Sequence, residues 1–375
     1  MNTQIIIFTF FVILLQGCGG GGDAGSSNPS VPLDPLPVKD TSYKNYKEVG
    51  LTPQNLPGNR SGDGPIRTYA DFTRSGRLDM FVVVFNSPWP PTTLEDQNPS
   101  IMEFWQKQAD GSFILRDDLL KNPNDGCTHP RKAIVADFNQ DGVPDVFVVC
   151  HGFDADPFPG EKNKVILSQS DGKFLIQNAS DDVGFFHGAS AADLNGDNYP
   201  DVLVVDNNDR DKLYVLLNNT DGSFRRETTE RLPYSLINNG NYYTVELVDI
   251  NSDNFVDALL GGHEHENAET LLLVNDGDNY FITTPPTAIP SVPDSSTVLD
   301  FAVTVQESNR YIWVNRTNIN YGSRVIQKVS WPDLTSSVPL NENPKQWLLW
   351  ILPTIVNNQN VIATDDASFG TLLNY

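Results

Sequence analysis

The sequence predicts an all-β fold, a β-propeller of six blades, with seven blades as the alternative. A turn-like segment recurs from Asp137, Asp193 and Asp249, with successive starts 56 residues apart, and a fixed period of this length indicates a repeat architecture. Each copy precedes an apolar run rich in β-branched residues, which favours strands. The 27 Gly and 26 Pro residues are scattered along the chain and interrupt any long helix.

The copy that starts at Asp193 illustrates the strands predicted for one repeat. It is the third copy when a degenerate copy at Asp71 is counted as the first. An inner strand over Ala189–Ala192 enters the turn, and a second strand over Val202–Val205 leaves it. A third strand follows over Leu213–Leu217, and a fourth lies near Phe224. The matching outer segments are VILSQSDGKFLIQ in the second repeat and LLLVNDGDNYFIT in the fourth. Four antiparallel strands in about 50 residues form one propeller blade, whereas a stack of sandwich domains would need longer repeats.

Weaker copies extend the repeat in both directions. The segment DFTRSGRLDMFVVV from Asp71 is a degenerate first copy, and degenerate blades are predicted over 298–375. Their second strands are expected at Tyr311–Val314 and Val361–Ala363, and the chain ends in a third strand of the sixth blade. We therefore expect Tyr43–Leu51 to supply the missing outer strand, which removes exposed strand edges. Irregular strands between residues 84 and 101 would make the count seven.

The N-terminus predicts export. Residues 1–17 have the short apolar core of a signal peptide, too short to span a bilayer. The junction ending at Cys18 resembles the bacterial lipobox, which implies a lipidated cysteine; an ordinary cleaved signal is the alternative. Residues 18–41 form the lipidated cysteine and a Gly/Ser/Pro tether, and 42–375 form the propeller domain. By resemblance to enterobacterial sorting, Gly19 favours the outer membrane within the cell envelope.

The charge balance limits the partners. Lys and Arg number 25 and Asp and Glu number 48, which gives a net charge of −23. Nucleic acid and anionic membrane surfaces repel such a chain. We therefore expect no nucleic-acid partner, and membrane contact through the lipid anchor only.

Two cysteines remain in the propeller domain. Cys127 and Cys150 bracket the first full repeat, near the open end of a predicted hairpin. Export favours a disulfide between them, worth roughly 3 kcal/mol on the chain-entropy model. Two buried free thiols are the alternative.

The recurring turns predict calcium sites. Each turn places oxygen side chains at its first, third, fifth and ninth positions, and alternate oxygen ligands on a tight turn suit Ca²⁺. Three sites are expected, with one main-chain carbonyl completing each: Asp137, Asn139, Asp141, Val143 and Asp145; Asp193, Asn195, Asp197, Tyr199 and Asp201; Asp249, Asn251, Asp253, Phe255 and Asp257. A fourth, weak site is expected at Asp71, Thr73, Ser75 and Asp79. The alternative is that these residues form Asx turns that bind no metal.

The D-x-N-x-D-G-x-x-D turn before a β run, with NxDGxF before the last strand, resembles the FG-GAP or VCBS repeats of integrin-α-type propellers. The resemblance is strong over residues 68–285 and weak over 286–375. It implies that each metal turn joins the first strand of a blade to the second.

The five histidines are predicted to lie together on one face. They fall in loops that enter first strands or leave second strands, and both loop classes open opposite the metal turns. The candidate ligand face comprises His129, His151, Asp154, His187, His263, Glu264 and His265, accompanied by Asp156, Glu161, Glu266, Asp206, Asn207 and Phe186. Histidine and carboxylate groups on loops bind transition metals, perform acid–base chemistry or recognise a sugar or peptide. Alternatively, they satisfy the loop backbone.

These features predict a calcium-stabilised envelope lipoprotein that binds a carbohydrate or a protein through its histidine face. An enzyme on polysaccharide, a lyase or hydrolase, is the second hypothesis, and a structural envelope scaffold is the third. Convergent His and carboxylate groups in one pocket favour an enzyme, and a shallow aromatic rim favours a binding module.

Overall fold

The computed structural model describes residues 66–375 except 89–90, 208–210, 228–230, 307–308, 357–358 and 365–372. This part of the chain is almost entirely β and forms six antiparallel sheets. Its helices are short: α1 covers Tyr234–Ile237, and two 3₁₀ turns cover Leu94–Asp96 and Glu264–Glu266. No helix among the described residues has the length and apolar character needed to cross a membrane.

Each sheet is one blade and takes its strands from one continuous segment. The first two blades contain β1 (Ile66–Ala70), β2 (Asp79–Val84), β3 (Ile101–Lys107), β4 (Phe113–Leu115), β5 (Pro130–Ala136), β6 (Asp145–Cys150), β7 (Lys164–Ser168) and β8 (Phe174–Asn178). The next two contain β9 (Phe186–Ala192), β10 (Asp201–Asp206), β11 (Leu213–Asn218), β12 (Phe224–Glu227), β13 (Tyr242–Val248), β14 (Asp257–Gly262), β15 (Leu271–Leu273) and β16 (Thr287–Ala288). The last two contain β17 (Thr297–Gln306), β18 (Asn309–Thr317), β19 (Arg324–Trp331), β20 (Ser336–Glu342), β21 (Ile351–Val356), β22 (Gln359–Thr364) and β23 (Leu373–Asn374).

The strand order confirms the six-bladed propeller. Strands pair with their neighbours in sequence within every sheet, the up-and-down order of a propeller blade. The predicted second strands of the fifth and sixth blades are β18 and β22. The sixth sheet contains three described strands, β21 to β23. Tyr43–Leu51, the predicted closing strand, lies outside the described residues, as do the predicted signal peptide, Cys18 and the predicted tether.

Two local expectations were wrong. The described residues between Val84 and Ile101 contain the 3₁₀ turn and no strand, so a seventh blade is absent there. In the fourth blade, the outer strand does not follow the NDGDNY turn directly but begins at Thr287. Phe281 is instead fully buried, and its N–H donates to Arg231 O in the preceding connection.

The core lies between neighbouring blades. Ile134 and Phe147 of the second blade pack with Ala189 and Val202 of the third. Successive side chains along a strand point to opposite faces of the sheet, so one blade can pack against both of its neighbours. Trp350 and Leu352 of the sixth blade join the cluster of the first. The ring is therefore closed by apolar packing of the last blade against the first.

A disulfide joins Cys127 to Cys150, with 5.8 Å between their Cα atoms. It links the segment entering β5 to the end of β6, and both cysteines are fully buried. The bond anchors the two chain segments that carry His129 and His151, one of which precedes β5 and the other of which follows β6.

The two predicted functional features lie at opposite ends of the strands. The recurring turns join β5 to β6, β9 to β10 and β13 to β14, as the resemblance implied. His129 immediately precedes β5, whereas His151 and His263 immediately follow β6 and β14. The histidines therefore lie at the end of the propeller away from the turns.

Candidate functional site

Each recurring turn is held by its own carboxylates. In the second blade, Asp137 accepts hydrogen bonds from the N–H groups of Asp141 and Gly142 at 3.1 and 2.9 Å. Asp145 accepts from Phe138 N–H at 2.9 Å and from Ser168 N–H at 2.7 Å, which ties the turn to β7. These are the bonds of an Asx-turn network. They leave carboxylate lone pairs unused, because each ionised carboxylate has about four acceptor sites.

The same network recurs in the other copies. Asp201 and Asp257 accept from the N–H groups of Leu194 and Ile250, both at 3.0 Å. In the first copy, Asp71 accepts from Ser75 and Gly76 at 2.7 Å, and Asp79 accepts from Thr73 at 2.8 Å. The degenerate first copy thus keeps the fold of the turn with fewer carboxylates.

The carboxyl group at the ninth position of each full turn has a strongly raised pKa. Burial raises the pKa of Asp145 and of Asp201 to about 7, and that of Asp257 to about 6; backbone hydrogen bonds oppose this shift, and neighbouring turn carboxylates add to it. A buried carboxylate beside two like charges is costly without a cation. The donor set, oxygen only and rich in carboxylates, fits Ca²⁺.

The histidine end opens into a cavity of about 730 Å³, here called the mouth cavity. All six blades line it, which puts it at the end of the central channel. Each blade contributes through its first strand, or, in the sixth blade, through the residue before that strand: Arg67, Arg131, His187, Tyr243, Asp300 and Trp350. A concave site with aromatic walls and a few polar groups is the usual form of a small-molecule site.

The mouth cavity contains a guanidinium that forms no close pair. Within the described part of the chain, Arg131 makes no hydrogen bond or ion pair, and it lines the cavity half-buried. Its neighbour Lys132 is buried and paired with Glu246, at 3.0 Å. Carboxylates of Asp154, Glu266 and Asp300 line the same cavity, so the guanidinium offers a single cationic contact to an anionic group on a ligand.

Four side chains form a hydrogen-bonded relay at the cavity wall. His263 Nδ1 lies 2.8 Å from Glu266 Oε2, and His263 Nε2 lies 2.8 Å from the Tyr321 hydroxyl. A carboxylate only accepts, so Nδ1 is assigned the ring proton, and Nε2 accepts from Tyr321. The Tyr321 and Tyr243 hydroxyls lie 3.1 Å apart. Burial lowers the pKa of His263 and raises that of Tyr321, so neutral forms are favoured.

Ring contacts extend from the relay to the other histidines. The ring centroids of His187 lie 4.4 Å from Tyr243 and 4.5 Å from His151, and His151 lies 5.0 Å from His129. Burial lowers the pKa of His129 to about 3, with Arg131 as the second cause. The five histidines lie at one end of the propeller, as predicted, and their rings form a continuous arc with Tyr243, but His151 and His187 are buried.

Several candidate residues do not lie where they were expected. His151 has no exposed surface, because Phe185 packs on its ring at a centroid distance of 3.5 Å. Glu264 is bound to Arg316 at 2.8 Å and to Thr270, so it stabilises the contact between blades four and five. His265 is partly exposed beside His263 and contacts Ser296 at 3.2 Å.

One aromatic residue was assigned to the wrong face. Phe186 is fully buried in the core between blades, and its neighbour Phe185 lines the mouth cavity. The cause is a register shift between Val205 and Asp206, which pairs Asp206 with Phe186.

The sequence analysis missed Arg131, Tyr243, Tyr321 and Trp347, which all line the cavity. Aligning the repeats supplies a signal for two of them. Arg131, His187 and Tyr243 each stand six residues before the first aspartate of a recurring turn. Tyr321 and Trp347 come from blades without such a turn, so the repeat gives no signal for them.

Comparisons with known proteins agree with this architecture. Residues 137–204 and 193–260 match the FG-GAP-like repeat. No curated protein matches the chain.

Three solved structures are among those similar to this chain. A proposed 6-phosphogluconolactonase from Bacteroides uniformis is 11% identical, with a TM-score of 0.46 over 79% of this chain and 80% of that one. The Dos1 propeller is 8% identical, with a TM-score of 0.38 over 81% and 73%. A glycoside hydrolase family 43 arabinoxylan arabinofuranohydrolase from Bacillus subtilis, solved with cellotetraose, is 11% identical, with a TM-score of 0.38 over 88% and 64%. These values assign no activity to this chain.

Proposed function

We propose that this β-propeller with FG-GAP-like repeats is a calcium-stabilised lipoprotein of the cell envelope that binds a carbohydrate in its mouth cavity. The observation that carries the proposal is the cavity itself. Its walls present Tyr243, Tyr321 and Trp347 together with the cationic Arg131. A concave pocket that combines flat apolar faces with dispersed polar groups suits a sugar ring better than a protein surface, because protein interfaces are broad and nearly flat.

The calcium component of this proposal concerns stability. The turns at Asp137, Asp193 and Asp249 would hold the ions through the carboxylate, amide and carbonyl oxygens named above. A bound divalent cation would neutralise the repulsion among the buried carboxylates. The ions would lie at the far end of the strands from the cavity, so they would affect binding only through the stability of the blades.

Direct binding measurements test the carbohydrate proposal. Soluble oligosaccharides, both neutral and uronate-bearing, are titrated into the calcium-loaded protein and followed by calorimetry. Trp347→Ala should weaken binding by roughly tenfold to a hundredfold, since a stacked aromatic ring is worth about 1–3 kcal/mol. Tyr234→Ala is the matched control, because Tyr234 is 78% exposed and does not line the cavity. Equal loss in both variants, or binding of a protein partner alone, would reject a carbohydrate site.

A second candidate function is catalysis on a polysaccharide, favoured by the Glu266–His263–Tyr321–Tyr243 relay, because histidine and carboxylate groups that converge in one pocket are the arrangement expected of an enzyme. In that arrangement, Glu266 orients His263, and His263 Nε2 accepts the phenolic proton of Tyr321. The Tyr321 oxygen then accepts a proton from the substrate, and the protonated His263 can return its proton through Tyr321 to the leaving oxygen. Tyr243 would position the Tyr321 hydroxyl. These roles are those of general acid–base residues in glycoside hydrolysis or elimination.

A variant that lacks only the Tyr321 hydroxyl oxygen distinguishes catalysis from binding. Tyr321→Phe keeps the ring in the wall and removes the proton, so a relay enzyme should lose about 10²–10⁴ in kcat while its oligosaccharide affinity changes little. Release of new reducing ends from uronate-bearing polysaccharides is the measurement. A wild-type protein that binds but never cleaves supports the binding function alone.

A further inference from the structure

Two imidazole nitrogens face each other between the second and third blades. His151 Nε2 lies 3.2 Å from His187 Nε2. Each ring turns its other nitrogen to a backbone carbonyl: His151 Nδ1 lies 3.3 Å from Gly152 O, and His187 Nδ1 lies 3.0 Å from Phe185 O. A carbonyl oxygen only accepts, so the ring proton of each neutral imidazole is assigned to Nδ1. With these tautomers both Nε2 atoms direct lone pairs at the same point, where a metal ion would satisfy both of them.

Two more donors lie near His151. Asp154 Oδ1 lies 3.9 Å from His151 Nε2. His129, His151 and Asp154 each offer one ligand atom, and these atoms lie within 4.8 Å of one another. They form a three-residue group on one disulfide-anchored blade, and His187 of the next blade meets that group at His151 Nε2.

We propose that His129, His151, His187 and Asp154 bind a divalent transition-metal ion, and that Zn²⁺ is the ion this donor set fits best. Zinc takes imidazole nitrogens at about 2.0–2.1 Å in a tetrahedron, so two such nitrogens stand about 3.3 Å apart. The 3.2 Å between the two Nε2 atoms matches that spacing. The Nδ1–carbonyl contacts are the supporting bonds that fix the tautomer of metal-binding histidines.

This site differs from the calcium turns in position and chemistry. The turns offer only oxygen and lie at the opposite end of the strands, whereas a nitrogen-rich set selects zinc-like ions over Ca²⁺. His187 and Asp154 also line the mouth cavity, so the ion would form part of the cavity wall. The metal site goes beyond the proposed function and does not depend on it.

A proton shared between the two rings in one Nε2–H···Nε2 hydrogen bond is the competing explanation, and it needs only one ring to carry its proton on Nε2. The positive charge of Arg131 opposes a divalent ion more than this neutral hydrogen bond, whereas the carboxylate of Asp154 favours the ion. A shared proton gains one hydrogen bond, whereas a metal ion gains three or four coordinate bonds and the charge of Asp154. The metal ion is therefore the stronger solution, and the two explanations predict different zinc binding.

Zinc binding to the tag-free, chelator-treated full domain tests the proposal. Zn²⁺ is titrated in about 10 mM Ca²⁺, which occupies most oxygen sites that have dissociation constants of about 10⁻⁴–10⁻³ M, and the affinity is measured by competition with a chromophoric chelator. We expect one Zn²⁺ per chain and, on Co²⁺ substitution, the visible absorption of a tetrahedral ion. Absence of chelator-competitive Zn²⁺ binding by the wild-type protein would overturn the proposal and leave the shared proton.

Near-isosteric variants identify the ligands. Asp154→Asn and His187→Gln should each weaken Zn²⁺ binding by about tenfold to a hundredfold or more, while the melting temperature in chelator stays near that of the wild type. His265→Gln is the matched control, since His265 belongs to the separate group with His263 and Glu266, and it should bind Zn²⁺ as the wild type does. Loss of zinc in His265→Gln with retention in His187→Gln would assign the ion to the other group and refute this site.

Discussion

Lys132 Nζ lies 3.0 Å from Glu246 Oε2 and 3.1 Å from Val245 O, so a charge pair crosses the central channel from the second blade to the fourth. Both side chains are nearly inaccessible. Neighbouring blades are held by apolar packing, but this contact joins blades that are not neighbours in sequence. Lys132 also lines the mouth cavity, together with Arg131 and Tyr243.

Breaking this pair should destabilise the fold. Glu246→Gln leaves a buried ammonium group without its counter-charge, and we expect a loss of about 3–5 kcal/mol in the free energy of unfolding. Urea denaturation of the calcium-loaded protein measures it. The double variant Lys132→Met/Glu246→Leu should recover much of the loss, because an apolar pair has no charge to desolvate. A single variant as stable as the wild type would show that water already reaches the pair.

Calcium should stabilise the domain. For sites with dissociation constants of about 10⁻⁴–10⁻³ M, 10 mM Ca²⁺ adds roughly 1.4–2.7 kcal/mol per site. Melting temperatures in chelator and in Ca²⁺ measure the effect. Asp141→Ala and Asp197→Ala should each reduce the gain, whereas Asp79→Ala in the degenerate copy should reduce it less. An identical melting temperature in chelator and in Ca²⁺ would contradict the calcium sites.

The calcium effect should depend on pH. The folded-state pKa values of Asp145 and Asp201 are about 7, above the usual carboxyl value. Without an ion, the folded state therefore holds more protons than the unfolded state between about pH 4 and 7, and these groups lower stability as pH rises through that window. Calcium binds the ionised form, so the gain in melting temperature should be larger near pH 8 than near pH 5. An equal gain at both values would show that these carboxylates are not ligands.

Arg131 should select ligand charge. Arg131→Gln removes the guanidinium without filling the cavity, and we expect about a tenfold or greater loss of affinity for uronate-bearing oligosaccharides, the scale of one charge-assisted hydrogen bond. Neutral oligosaccharides should bind as before. Arg310→Gln is the control, because Arg310 contacts Asp249 O at the turn end of the propeller. Equal losses for charged and neutral sugars would mean that Arg131 only shapes the wall.

Cys18 should carry lipid. The apolar leader, the Leu15–Cys18 junction and the tether motivate this prediction, and stable anchoring needs more than one acyl chain. The wild-type protein should partition into the detergent phase with membranes, whereas Cys18→Ser should be released or left unprocessed. A mature wild-type protein that begins elsewhere and stays in the aqueous phase would contradict it.

The periodic features of the fold were predictable from the sequence, and the long-range ones were not. A repeating turn before an apolar run fixes strand order and blade identity, because both depend on contacts within about 50 residues. The burial of His151 depends on Phe185 of the next blade, and the role of Glu264 depends on Arg316, 52 residues away. Neither contact has a local signature. The relay likewise needs Tyr321, which no repeat position marks.

Because all six blades line the mouth cavity, a bound ligand would change how the blades stabilise one another. In a repeat protein each unit is stabilised mainly by its two neighbours, so damage at one boundary is not shared by the others. A ligand seated against Arg67, Tyr243 and Trp350 touches the first, fourth and sixth blades at once. It would therefore link the fourth blade to the first and the sixth, which are not its neighbours in the ring, as the Lys132–Glu246 pair links the second blade to the fourth. Occupancy would couple the unfolding of distant blades and make the whole ring open as a single unit, including the seam where the chain's last blade meets its first.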